Sequence, residues 1–165
     1  RSSMTDEVYG NVFDHHSVVY VYPSGVRIYA FTRTTTGCYN EVSSIILGTK
    51  GRANLLGCSI DGETKWRYSG PHPSPYVEEH KALFGAIRKG EPVSSGYHMA
   101  RSTLVTIMGQ ISCYTGKEVK YADVEKSDFF YPPKCEDCKI DMEPPTKPGP
   151  TGSYPVYIPG QTKLL

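Results

Sequence analysis

The chain has 165 residues, of which 38% are hydrophobic and 21% are charged, with a formal net charge of +1. That length is typical of one globular domain whose core is large enough to fold without disulfide staples. The near-zero charge offers no electrostatic basis for binding nucleic acid or an anionic membrane. No apolar run approaches the roughly 20 residues of a membrane span, and no signal-peptide pattern opens the chain. Because the first residue is Arg1 rather than Met, we expect a processed product or a fragment.

The five cysteines are spaced irregularly. Cys38, Cys58 and Cys113 occur singly among apolar or turn residues, which is typical of buried reduced thiols. Cys135 and Cys138 form a Cys-x-x-Cys sequence, but a zinc site needs a second pair of ligands and a redox motif should open a helix. The sequence therefore predicts no metal site, and reduced thiols favour a cytoplasmic location.

The clearest local pattern lies in residues 16–33, where two β-branched and aromatic runs flank a Pro-Ser-Gly turn. This pattern predicts an antiparallel hairpin that pairs position 22 with 26, 20 with 28, 18 with 30 and 16 with 32. Both faces of the hairpin are apolar and should be covered. We expect helices of this chain on one face and a second subunit on the other. The face assigned to self-association carries Val19, Val21, Tyr29 and Phe31.

Further strands are predicted over residues 42–47, 52–56, 64–68 and 119–121. Helices are predicted over residues 75–89 and 95–115, and one helical turn is predicted at 122–126. Helical spacing marks an apolar stripe on each helix. The stripes are Val77, His80, Phe84 and Ile87, and then Ala100, Thr103, Leu104, Ile107, Ile111 and Tyr114. We expect an α+β domain over residues 1–130, with one larger, mostly antiparallel sheet, both helices packed on one face and the other face open for oligomerisation. A Pro-rich extended arm follows over residues 131–165.

One polar cluster is predicted at the open end of the hairpin. The register places Asp14, His15 and His16 opposite Thr32, Arg33 and Thr34, and the loop with Tyr39 and Asn40 leaves from the same end. A carboxylate, two imidazoles, a guanidinium, a phenol and a carboxamide together offer donors and acceptors for polyol hydroxyls. The candidate substrate-binding residues in this cluster are Asp14, His15, Arg33, Tyr39 and Asn40; the alternative is a solvated strand end with one Asp14–Arg33 ion pair.

His80 is a further candidate substrate-binding residue. It lies on the apolar stripe of its helix, with Tyr76 and Glu79 nearby. The alternative interpretation is a core histidine with satisfied hydrogen bonds.

No phosphate-binding loop, zinc-protease motif or nucleophile elbow identifies an enzyme by itself. Seven segments, in their order and spacing, resemble the C-terminal domain of Gfo/Idh/MocA-type oxidoreductases. They are residues 10–16 (GNVFDHH), 22–27 (YPSGVR), 37–40 (GCYN), 48–51 (GTKG), 76–92 (YVEEHKALFGAIRKGEP), 100–104 (ARSTL) and 114–119 (YTGKEV). The likeness covers about residues 10 to 126, and the closing segment 158–162 (IPGQT) also fits.

The resemblance implies a two-domain enzyme. Its N-terminal Rossmann domain binds NAD or NADP, and its C-terminal α/β domain covers the nicotinamide, shapes a sugar or polyol pocket and forms the oligomer through its open sheet. The family's nucleotide fingerprint, its catalytic Lys in a Glu-Lys-Pro sequence and its Asp-x-x-x-His pair are absent from these residues. We therefore predict no catalytic residue in this chain, and neither NAD(P) binding nor dehydrogenase activity by the chain alone.

The leading hypothesis is the substrate-side and oligomerisation part of an NAD(P)-dependent oxidoreductase acting on a sugar or polyol. The alternatives are an NAD-using glycosidase of the same superfamily and a non-catalytic oligomerisation or binding module. The expected partners are a second copy of the chain, the missing Rossmann domain and a small sugar-like substrate, with no nucleic acid and no membrane.

Overall fold

The computed structural model of the protein describes residues 4, 6 and 9–165. The strands are β1 (His15–Val21), β2 (Arg27–Arg33), β3 (Ile45–Gly48), β4 (Gly51–Asn54), β5 (Ser59–Gly62) and β6 (Trp66–Arg67). The helices are α1 (Pro75–Lys89), α2 (Gly96–Thr115) and α3 (Tyr121–Glu125), followed by a short 3-10 helix (Cys135–Asp137). The α+β class with antiparallel sheets is confirmed. None of the described helices combines the length and apolarity needed to cross a bilayer.

The chain divides into two compact units. Unit 1 contains the described residues of 1–36 together with 95–165, and unit 2 contains residues 37–94. Unit 1 therefore holds the β1–β2 hairpin with α2 and α3, whereas unit 2 holds β3 to β6 and α1. A boundary after residue 130 stays a prediction.

The predicted hairpin register is confirmed in unit 1. His16 pairs with Thr32 and Tyr20 with Ile28. The turn closes because the Tyr22 N–H donates to the Val26 carbonyl over 2.9 Å. Alternation along β1 then sends one set of side chains toward α2 and leaves the other set exposed.

Helix α2 covers one face of this hairpin. Tyr20 packs over Gly109, where a Cβ atom would overlap the Tyr20 hydroxyl. Farther along α2, Ile111 and Tyr114 are each 1% exposed, and Phe13 meets the Tyr114 ring edge-on at a centroid distance of 4.7 Å. The core of unit 1 therefore lies at the C-terminal half of α2.

The end of the chain packs against this same part of α2. Tyr157 stacks on Tyr114 with ring centroids 4.0 Å apart, and the Gly160 N–H donates to the Thr115 carbonyl over 2.7 Å. Gly116 ends the helix with a φ of 71°, a left-handed conformation that favours glycine. These contacts give the C-terminal segment a defined place within unit 1.

Unit 2 contains an antiparallel meander in the order β3-β4-β5-β6. The sequence reading missed β5, because Ile60 is its only apolar residue and no period-2 pattern develops. Gly51 pairs with Gly62 between β4 and β5, and a Cβ on Gly51 would lie 2.5 Å from the Asp61 carbonyl oxygen. Glycine thus permits a close strand pairing that the alternation of apolar residues does not predict.

Three expectations are corrected by the fold. The single larger sheet is wrong, because the described strands form one two-stranded and one four-stranded sheet. The α1 stripe is exposed, because none of the described elements of unit 2 packs against that helix. The strand expected over 119–121 is wrong, since Tyr121 begins α3.

The α2 stripe is buried only in part. Ile111 and Tyr114 are buried, whereas Ala100 and Thr103 are exposed. The hairpin packs against α2 beyond the first turns of that helix. Amphipathic spacing therefore predicted which face of α2 is buried, but not how far along the helix the burial extends.

Candidate functional site

The open end of the hairpin brings three of the predicted site residues together. Antiparallel pairing sets His15 opposite Arg33. The Thr34 N–H donates to the Asp14 carbonyl over 2.8 Å, which extends the ladder by one residue beyond β2. Asp14, His15 and Arg33 therefore form a cluster on one strand end of unit 1, as the register predicted.

Asp14 and His15 form a hydrogen-bonded carboxylate–imidazole pair. The Asp14 side chain is only 6% exposed, and its Oδ1 accepts a hydrogen bond from His15 Nδ1. Its other oxygen, Oδ2, accepts the Met4 N–H over 2.9 Å. The His15 side chain remains 43% exposed. The pair therefore presents a partly exposed imidazole, held by a nearly buried carboxylate, at the rim of the hairpin.

His16 lies on the opposite face of the strand and has a different environment. Its Nδ1 is 3.3 Å from the Thr32 hydroxyl, and its ring lies 5.9 Å from Phe13 and 6.2 Å from Tyr114, centroid to centroid. Burial is the main cause that lowers the pKa of His16 below its ordinary value of 6.5. His16 therefore contributes a neutral imidazole to the packing between the hairpin and α2.

Tyr39 and Asn40 belong to unit 2 rather than to the unit that contains the hairpin. The Tyr39 hydroxyl donates to Glu41 Oε2 over 3.0 Å, and this hydrogen bond raises the pKa of Tyr39. Hydrogen bonds from Ser43 and Tyr39 lower the pKa of Glu41. Asn40 is exposed. Their assignment to a common rim with Asp14 stays a prediction.

His80 also lies in unit 2, on α1. Its side chain is 60% exposed, so the interpretation as a buried core histidine is wrong. The ring Nδ1 lies 2.6 Å from the Tyr76 carbonyl and 3.7 Å from Glu79 Oε1. These contacts hold the imidazole against its own helix, and a substrate-binding role for His80 stays a prediction.

Sequence reasoning missed a second polar cluster, in a groove between the turn end of the hairpin and α2. Arg101 lies there close to the rings of Tyr97 and Tyr121. The four-residue spacing of Tyr97 and Arg101 was a signal for one of these contacts, because residues at i and i+4 are neighbours on a helix. Tyr121 carried no such signal, since its approach depends on the fold of the chain after α2.

Among the described residues, no group of three or more His, Cys, Asp or Glu side chains is placed to hold a metal ion. Cys135 and Cys138 are both exposed and flank the short 3-10 helix. Compared with family models, with curated proteins and with solved structures, the chain matches none of them.

Proposed function

We propose that this chain is the substrate-side and oligomerisation part of an NAD(P)-dependent oxidoreductase acting on a sugar or polyol. The resemblance of its ordered segments to Gfo/Idh/MocA-type C-terminal domains supplies the reaction class. The observation that supports a role in substrate binding is the Asp14–His15 pair at the hairpin rim. A nearly buried carboxylate that orients an accessible imidazole suits the recognition of a hydroxyl group.

The neighbouring residues support the same assignment. Arg33 is cross-strand from His15 and adds hydrogen-bond donors to the rim. A ligand with adjacent hydroxyl groups could use the imidazole as an acceptor and the guanidinium as a donor. Tyr39, Asn40 and His80 belong to unit 2, and their role toward a sugar-like ligand stays a prediction from the sequence.

The two long helix starts do not fit a dinucleotide. Pyrophosphate binding needs a Gly-rich turn whose backbone N–H groups meet the phosphates at a helix N-terminus. Helix α1 instead begins with Pro75 and has Glu78 in its first turn, and α2 follows Ser95 with a single glycine, Gly96. We therefore assign the NAD or NADP site to a Rossmann domain outside these residues.

The exposed face of the hairpin supports a role in assembly. Val19, Val21, Tyr29 and Phe31 lie on the face that α2 does not cover and are between 49% and 71% exposed. A contiguous apolar patch of this kind is typical of a protein interface. We propose that a second copy of the chain covers it, that residues 131–165 act as an arm on the body, and that the complete enzyme is cytoplasmic.

The substrate assignment is tested by titrating the isotopically labelled chain with hexoses, pentoses and cyclic polyols while following the backbone amides of residues 14–16 and 32–34 by NMR. We expect weak, saturable binding by at least one polyol, and an affinity reduced at least about fivefold by His15→Gln and by Arg33→Ala. His98→Gln, which removes an exposed imidazole of α2, is the matched control. Equal binding by the wild-type chain and both rim variants would contradict the proposed site.

The enzyme class is tested separately. Calorimetric titration of the chain with NAD and with NADP is expected to show no micromolar binding, and such binding would show that the cofactor site had been misplaced. The gene's reading frame upstream of Arg1 then decides among the alternatives. A Gly-x-Gly-x-x-Gly fingerprint and a Glu-Lys-Pro sequence there would support an NAD(P) enzyme, whereas their absence would favour a non-catalytic module.

A further inference from the structure

A groove of about 600 Å³ lies in unit 1, at the turn end of the hairpin and beside the N-terminal half of α2. The Asp14–His15 pair is at the other end of the same hairpin. Aromatic and basic side chains dominate the lining of the groove, and none of the residues that line it is acidic. The lining includes Tyr20, Tyr22, Tyr97, His98, Arg101 and Tyr121.

Arg101 is held in place by two aromatic rings. Its guanidinium carbon lies 5.5 Å from the ring centroid of Tyr97 and 5.8 Å from that of Tyr121, within the range of cation–π attraction. Arg101 Nη1 also donates to the Tyr97 hydroxyl over 3.2 Å. Among the described ion pairs, none involves Arg101. A positioned guanidinium without a carboxylate partner retains donors for an oxyanion.

The Tyr121 hydroxyl adds to this picture. Its oxygen is buried and makes no hydrogen bond of good geometry among the described residues, although it lies close enough to Arg101 to raise the pKa of that guanidinium. Buried polar atoms in proteins are almost always paired at good geometry. A ligand oxygen bound to Arg101 would complete the hydrogen bonding of both groups.

We propose that this groove binds a small organic anion, with a carboxylate or phosphate group on an apolar or aromatic body. The anionic group would accept hydrogen bonds from Arg101 and Tyr121, because a guanidinium matches both anions with paired donors. The body would pack on the tyrosine rings and on Val105. The volume of the groove falls within the usual range for small-molecule sites, which favours a small ligand over an acidic peptide. This site is separate from the proposed sugar rim and does not depend on it.

The test uses four small probes on the isotopically labelled chain. Phenyl phosphate and benzoate carry both an anion and a ring, benzyl alcohol carries the ring alone, and inorganic phosphate carries the anion alone. Chemical shifts of the Arg101 Nε–H and of the Tyr97 and Tyr121 rings report binding. We expect saturable shifts with phenyl phosphate or benzoate, and binding at least about tenfold weaker for benzyl alcohol. Inorganic phosphate should bind more weakly than phenyl phosphate, since it lacks the body that packs on the rings.

Two variants locate the site. Arg101→Gln should weaken binding at least about tenfold, and Tyr121→Phe, which keeps the ring, should weaken it at least about threefold. Arg88→Gln removes a basic residue of α1 and should leave the affinity unchanged. Unchanged spectra of the Phe13–Tyr114 core would show that each variant is folded.

Several results would overturn the proposal. They are the absence of saturable shifts at millimolar probe, equal affinity for benzyl alcohol and phenyl phosphate, or undiminished binding by Arg101→Gln. Tighter binding of an acidic peptide than of either aromatic anion would overturn the choice of a small-molecule ligand.

Discussion

Two adjacent histidines show how strand alternation assigns different chemistry to neighbouring residues. His15 pairs with the nearly buried Asp14 carboxylate and keeps an exposed ring. His16, one residue later, points to the opposite face and packs near Phe13 and Tyr114. The period of two along a strand is the physical reason, because successive side chains leave a sheet on opposite sides. One ring therefore stays partly exposed at the hairpin rim, whereas the other belongs to the packing of unit 1.

The lowered pKa of His16 predicts a pH-dependent contribution to stability. In the unfolded chain this imidazole takes up a proton near its ordinary pKa of 6.5, whereas in the folded chain it does so only at lower pH. Between these two values the unfolded state binds more protons, so the free energy of unfolding decreases as the pH falls through 6.5. Denaturant titrations from neutral to acidic pH should show this decrease, and His16→Asn should make it smaller.

The titration of His16 can also be observed directly. NMR of the His16 ring should give a midpoint below 6.5. The control for the denaturant titrations of His16→Asn is His98→Asn, which removes an exposed imidazole from α2. A midpoint at or above 6.5 would contradict the burial of His16 against the Phe13 and Tyr114 rings.

At the scale of elements, the contact between α2 and the hairpin depends on a helical glycine. Gly109 lies under Tyr20, and a methyl group there would overlap the Tyr20 hydroxyl. Gly85, within α1, has no neighbouring atom within 4 Å of the position that a Cβ would occupy. The two glycines thus form a natural pair in which the same substitution meets different surroundings.

We expect opposite effects from alanine at these two positions. Gly85→Ala should stabilise its helix by up to about 1 kcal/mol, because alanine restricts the unfolded backbone and favours helix. Gly109→Ala should instead destabilise unit 1 by about 1–3 kcal/mol, since overpacking outweighs the gain in helix propensity. Combining Gly109→Ala with Tyr20→Phe should recover part of the lost stability. Urea denaturation of the wild type, the two single glycine variants and the double variant measures these changes in the free energy of unfolding. Stabilisation by Gly109→Ala alone would show that α2 and the hairpin are not in close contact.

At the scale of the whole molecule, the central question is what covers the second face of the hairpin. Both strands are edges of a two-stranded sheet, so each pairs only part of its backbone N–H and C=O groups within the hairpin. A two-stranded sheet with an exposed apolar face is marginal in water. Val21 and Phe31 are 65% and 71% exposed, so burying them in an interface would remove a large apolar area from water.

Self-association through this face gives a direct prediction. Phe31→Asp should weaken the association at least about tenfold, because a charge would have to be buried in an apolar contact. Sedimentation over a range of concentrations measures the change. Leu47→Lys on β3, where the side chain is 78% exposed, is the control for adding a charge to an exposed apolar strand residue. A wild-type chain that stays monomeric at high concentration, or a Phe31→Asp chain that associates as the wild type does, would contradict this role of the face.

Local patterns in the sequence determined the hairpin register and the extent of both long helices. Alternation around the Pro-Ser-Gly turn fixed the pairing of His16 with Thr32. The α1 bounds agree with the expected 75–89, and α2 begins one residue after the expected position and ends as expected. These features depend on residues close together in sequence, where periodicity and end signals such as Gly90 and Gly116 act directly. The same register placed Asp14, His15 and Arg33 together.

Only the tertiary structure decided how those elements are used. The division of the strands into two sheets, the exposure of the α1 stripe and the start of α3 at Tyr121 depend on which elements meet. The same holds for the groove, where Tyr121 approaches Arg101 only because the chain turns back after Gly116. A hydrophobic period says which side of an element is apolar, but not which partner covers it or whether any does. That choice belongs to long-range packing, which no local pattern encodes.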